Sequence, residues 1–125
     1  MATLFTVKTK QFTGEKQLKN DYIIILVTCK DKSEAEKITQ SLLEQRLIAC
    51  GNIVSPVTSF FNWLGKIDKG EECLIVLKSR LDLFVQVADQ VKSLHSYEVP
   101  EVLALPIVEG SKAYLDWMNV VLKPV

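Results

Sequence analysis

Two apolar runs in this chain do not alternate with polar residues. They are Tyr22-Ile23-Ile24-Ile25-Leu26-Val27-Thr28-Cys29 and Cys73-Leu74-Ile75-Val76-Leu77. Both are short and rich in β-branched side chains, which reads as strand. A strand with one wet face alternates; a continuous apolar strand needs cover on both faces. The chain must therefore supply helices for one side of a sheet, and something else must cover the other.

The helices are legible between the strands. Ser33-x-x-Glu36 has the spacing of a capping box, and Ala35, Ile38, Leu42, Leu43 and Leu47 stripe one face behind it. This helix is predicted to end near Leu47 to Ala49. A long β region follows from Cys50 to Leu64, with a bend or bulge expected at Ser55-Pro56. The chain turns back at Gly65-Lys66 or at Asp68-Lys69-Gly70 and returns through Glu71 to Ser79. A second helix is expected over Asp82 to His95, striped by Phe84, Val87, Val91 and Leu94, and Pro100 bars its continuation. Val102 to Ile107 is a fourth strand. Ser111 then caps a last helix carrying Tyr114, Trp117, Met118 and Val121, for which the spacing favours a core role.

The order is β-α-β-β-α-β with one extra C-terminal helix, an α+β, ferredoxin-like arrangement with a long β2-β3 hairpin. Two helices then cover one face of an antiparallel sheet. The other face, also apolar, calls for a partner subunit.

Composition excludes several classes. The 15 basic and 15 acidic residues cancel, which argues against electrostatic capture of nucleic acid or of an anionic membrane. The longest wholly apolar run, Ile23 to Val27, is far short of the roughly 20 residues a membrane span needs. Cys29, Cys50 and Cys73 form no C-x-x-C and are odd in number, so free thiols in a reducing, cytoplasmic setting are expected. Residues 1–20 read as a poorly ordered extension without a secretory signal, with Leu4 to Phe12 as an optional edge strand. Residues 21–125 form the folded domain.

Chemistry concentrates in His95-Ser96-Tyr97-Glu98-Val99-Pro100-Glu101, which holds the lone histidine. Imidazole suits Cu(II), and Glu98 or Glu101 can complete or orient such a site. A structural histidine is the alternative. Cys50 is either a soft ligand or a small buried hydrophobe. Trp63, Lys66, Lys78, Tyr97 and Glu101 can line a pocket for a small anion or metabolite, or pack at a subunit boundary. No nucleophile–base pair and no phosphate loop is visible, so no catalytic residue is assigned and an enzyme is not expected.

The ordered motifs carry a resemblance. Ser59-Phe60-Phe61-Asn62-Trp63-Leu64-Gly65-Lys66-Ile67 leads on to Glu72 and Lys78-Ser79, and the histidine segment is followed by Leu105-Pro106-Ile107. Leu47-Ile48-Ala49-Cys50 and Tyr114-Leu115-x-Trp117 complete the pattern. Over residues 22 to 122 the chain resembles the CutA family of divalent-cation tolerance proteins. The resemblance implies a homotrimer similar in architecture to the PII signalling proteins, with the long hairpins joining sheets between subunits. It also implies a tie to copper and other divalent metals, with His95 at the position of a Cu(II) ligand. The second histidine of copper-binding relatives is Leu94 here. Their ligand cysteine aligns with Val27, leaving Cys29, two residues on, as its substitute on the same strand face. Two functions follow: a trimeric protein binding a divalent metal such as Cu(II), or a PII-like sensor of a small molecule in the inter-subunit clefts.

Overall fold

A computed structural model describes residues 21–125 of the chain. The expectations for residues 1–20 lie outside the described residues. The elements are β1 (Tyr22–Cys29), α1 (Lys32–Glu44), β2 (Cys50–Trp63), β3 (Lys66–Arg80), a 3-10 turn (Leu81–Leu83), α2 (Phe84–Leu94), β4 (Val102–Pro106) and α3 (Lys112–Val121). The sheet has the order β2-β3-β1-β4, and each neighbouring pair is antiparallel. This is the ferredoxin-like α+β topology read from the sequence, with the extra C-terminal helix.

The period of two divides β1 and β3 between two faces. Ile23, Ile25, Val27 and Cys29, with Cys73, Ile75 and Leu77, are buried. Ala35, Ile38 and Leu42 of α1 and Val87 and Val91 of α2 complete that core. Each fully buried branched side chain there contributes about 1.5–3 kcal/mol. Gly51 lets α1 approach β2, since a Cβ at this position would lie 2.6 Å from Thr39 Cγ2.

Helix α1 starts earlier than the Ser33 box implied and ends earlier than Leu47. Asp31 is the cap, and its carboxylate accepts from the Glu34 amide at 2.9 Å. At the other end Arg46 N–H donates to Leu43 O at 3.0 Å and Leu47 N–H to Leu42 O at 3.0 Å. That pair of bonds is a Schellman closure, in which glycine usually takes the left-handed position. Here Arg46 takes it, with φ 58°. Its guanidinium explains why: it donates to the carbonyls of Val120, Val121 and Leu122, closing the end of α3.

The hairpin turn is Leu64-Gly65, not either of the expected positions. Trp63 faces Lys66 across it, and both turn residues have positive φ, 51° and 80°. That is a two-residue turn of the I′ kind, which favours Asn-Gly. Leu64 is strained there and fully accessible. Leu64→Asn is therefore expected to stabilise the isolated fold by about 0.5–1 kcal/mol in chemical denaturation. The bulge expected at Ser55-Pro56 is present as a register shift between Val54 and Val57.

Tyr114 and Trp117 do not reach the core. They stack on each other with ring centroids 5.3 Å apart and stay half exposed, while Met118 alone of α3 is fully buried. Helical spacing set their face correctly, but α3 lies at the rim, where Met118 alone is sealed into the core.

Candidate functional site

The second face of the sheet is uncovered, as expected. Direct cross-strand partners share a face. Ile24 pairs with Lys78 and Leu105, Leu26 with Val76 and Leu103, and Leu74 with Val54, so all point away from the helices. Val54, Leu103 and Leu105 are exposed at 47%, 55% and 48%. On the distal hairpin Trp63 keeps the parity of this face and is exposed, while the exposed Phe60 and Ile67 fall on the opposite side.

At one end of this face lies a cleft of about 900 Å³. Thr28 of β1, Ser59, Phe60, Phe61 and Trp63 of β2, Asp68 and Glu72 of β3, and Tyr97, Glu98, Val99 and Glu101 of the following loop line it. Four carboxylates and four aromatic rings meet there, and no lysine or arginine is among the lining residues. The wall favours a cation and repels the small anion considered from sequence.

The loop over residues 95–101 is held by three devices. The His95 ring lies between Thr28 and Tyr97. Its Nε2 is 2.7 Å from the Thr28 carbonyl, and its Nδ1 accepts from the Tyr97 amide at 3.0 Å. A carbonyl only accepts and an amide N–H only donates, so the Nε2–H tautomer is set. Tyr97 packs on the imidazole, centroids 4.7 Å apart, and its hydroxyl donates to Glu72 at 2.7 Å. Burial, then the Glu72 hydrogen bond and charge, raise the Tyr97 pKa, so the phenol stays neutral.

Glu34 is the third device. Its carboxylate accepts from the Ser96 amide at 2.7 Å, the Ser96 hydroxyl at 3.1 Å and the Lys30 amide at 3.3 Å. Burial alone would raise its pKa, but the bonds from Lys30 and Ser96 and the nearby His95 outweigh that and lower it. A carboxyl lowered on folding stabilises above its unfolded value, and that contribution is lost as pH falls through the folded value. Glu34→Gln is expected to cost about 1–3 kcal/mol at neutral pH. It should also flatten the loss of stability that the parent shows below pH about 4.5. Urea midpoints measured from pH 3 to 7 check both.

The sequence-derived sites divide on the structure. Trp63, Tyr97, Glu98 and Glu101 come together in the cleft. Lys66 and Lys78 are not among its lining residues. Lys78 instead reaches Asn52 Oδ1 at 2.7 Å and lies 3.8 Å from the thiol of half-buried Cys50, further along the open face. His95 sits behind the cleft with both nitrogens engaged. Cys29 turns to the helix-covered face, and burial first, then Glu34, push its thiol up to about 11. Among the described residues, no three of His, Cys, Asp or Glu converge so as to hold a metal ion. The set His95, Glu98, Glu101 and Cys29 is therefore not assembled within one chain. Asp68 and Glu72 are the residues sequence reasoning missed. They lie on alternate positions of β3, but only the register after the bulge brings them opposite Phe61 and Val57.

The family model of the CutA1 divalent ion tolerance protein matches residues 23–120. The divalent-cation tolerance protein CutA of Thermus thermophilus is 41% identical over 96 residues, 77% of this chain and 93% of that protein. Two solved structures superpose closely. The periplasmic divalent cation tolerance protein CutA of Archaeoglobus fulgidus has a TM-score of 0.79 at 41% identity, covering 82% of this chain and 99% of that one. CutA1 of Oryza sativa has a TM-score of 0.82 at 34% identity, covering 84% and 96%. Strand order, long hairpin, histidine loop and these matches agree, and the chain belongs to the CutA1 family of divalent ion tolerance proteins.

Proposed function

We propose that the protein works as a homotrimer that captures a divalent cation, Cu(II) foremost, in clefts completed at the subunit boundaries. The observation that carries this is the open apolar sheet face running directly into an acidic cleft. An apolar face of this kind is closed by a second copy more readily than by water. The cleft's donors are spread along its wall, so a neighbouring copy has room to supply the remaining ligands. Glu98 and Glu101 are the carboxylates on the loop side of the cleft wall, and His95 positions their loop. No catalytic step is part of this reading. The three free thiols fit a reducing compartment, the cytoplasm. No described helix is long and apolar enough to cross a membrane.

Calorimetric titration of Cu(II) into tag-free protein tests the cation reading. The wild type is expected to bind, and Glu98→Gln with Glu101→Gln to bind at least roughly tenfold more weakly. His95→Ala should weaken binding too, through the loop. Unchanged binding in these variants contradicts the reading.

The aromatic walls favour a second reading, a small organic ligand sensed in the same cleft without metal. A thermal-shift screen of metabolites supports it if a ligand raises the melting temperature in the wild type and not in Trp63→Ala.

A further inference from the structure

Asp68 and Glu72 share the open face of β3, and each stands beside an aromatic ring. Asp68 faces Phe61 directly across the hairpin. That pairing puts their Cβ atoms about 4.5–5.5 Å apart. Glu72 accepts from the Tyr97 hydroxyl at 2.7 Å. Along the strand the two acids are about 14 Å apart, at about 3.4 Å per residue. Trp63 follows Phe61 on the same face, and Glu98 and Glu101 bring further carboxylates to the lining from the loop.

Acids alone attract any cation, but rings are selective. An aromatic face attracts an ammonium group and also covers the methylenes beside it. A bare metal ion calls for convergent donors, and among the described residues no three of His, Cys, Asp or Glu converge. The acids are instead strung along a cleft of about 900 Å³, which has room for an organic molecule.

We propose that the cleft binds a linear aliphatic oligoamine, a methylene chain carrying ammonium groups at intervals. This rests on the second reading of the cleft, an organic ligand held without metal, and names its chemical class. One ammonium lies by Asp68, against the rings of Phe61 and Trp63. Another lies by Glu72: the Tyr97 hydroxyl takes Oε2, and a carboxylate accepts at both oxygens. The methylenes between them run along the aromatic wall. Lys66 pairs with Trp63 at the turn but lies outside the lining, so the row of ammonium groups ends at Trp63. No covalent bond is made or broken.

The test is calorimetric titration of spermidine, a linear triamine, into the full chain at about 150 mM salt, where loose attraction to surface charge is screened. Wild type is expected to bind in the micromolar range. Trp63→Ala and Asp68→Asn should each bind at least roughly tenfold more weakly. Tyr114→Ala, altered on α3, should bind as the wild type does. Triacetylated spermidine, with the same stem and no charge, should not bind. All three altered side chains are exposed, and far-UV circular dichroism checks that each variant keeps the fold. Spermidine binding indifferent to Trp63 and Asp68, or equal binding of the acetylated form, overturns the assignment. If spermidine is ignored while another metabolite gives a Trp63-dependent thermal shift, the oligoamine falls and the organic reading stands. If spermidine and the whole screen are flat, both fall.

Discussion

Arg80→Ala is expected to lower the stability of the fold by about 3–5 kcal/mol, the largest effect of any single side-chain truncation considered. Arg80 is buried, with 5% of its side chain exposed. Its Nε donates to Asp82 at 2.8 Å, one terminal nitrogen to Asn119 Oδ1 at 3.2 Å, and the other to the Lys123 carbonyl at 2.9 Å. One guanidinium thus joins the end of β3, the 3-10 turn and the segment after α3. Truncation leaves Asp82 and Lys123 O without that donor and opens the space beneath α3. The melting temperature should fall by roughly 10 °C or more. Arg80→Lys keeps the charge but not the fork, and should fall between the parent and alanine. A loss below about 1 kcal/mol in Arg80→Ala would mean that α3 is held mainly by Met118, contrary to this account.

The second large effect concerns association. Leu103 stands on the open face, half exposed in the single chain, opposite Leu26. Leu103→Asp should leave the monomer fold nearly intact, because the side chain is solvated there. In a trimer closed through that face it buries an unpaired carboxylate in every subunit, which costs several kcal/mol each. The dissociation constant should rise by at least roughly a thousandfold, turning the assembly into monomers at micromolar concentration. Size-exclusion chromatography with unchanged far-UV circular dichroism checks this. Persistence of the parent's size would place the interface elsewhere.

Much of the fold was legible because strand and helix periods leave direct marks. The non-alternating runs announced a sheet covered on both faces, and the open face with Leu103 and Leu105 is the physical counterpart of that reading. The cap of α1 was not decidable locally. Asp31-x-x-Glu34 and Ser33-x-x-Glu36 have the same spacing, and the choice rests on Ser96, 62 residues from Glu34, which binds its carboxylate. The turn was missed because Leu64 is a poor residue for positive φ, so the sequence pointed to neighbouring glycines and lysines instead. In the site, the loop residues Tyr97, Glu98 and Glu101 were legible as a cluster because they are contiguous. Within one chain Lys78 falls outside that cluster. Nothing local says that residue 78 faces Cys50 at the far end of the face while residue 72 faces the cleft. Cys29 was placed on the correct strand face, but that face is the core, so it cannot join Glu98 and Glu101.

Multi-angle light scattering on the tag-free wild type at micromolar concentration tests the central claim most directly, because both the covered sheet face and the completed cleft depend on a trimer. Three copies of the 14.1 kDa chain predict a mass of about 42 kDa, stable on dilution. A monodisperse species at 14.1 kDa would contradict the account, leaving the open face and its cleft exposed to water.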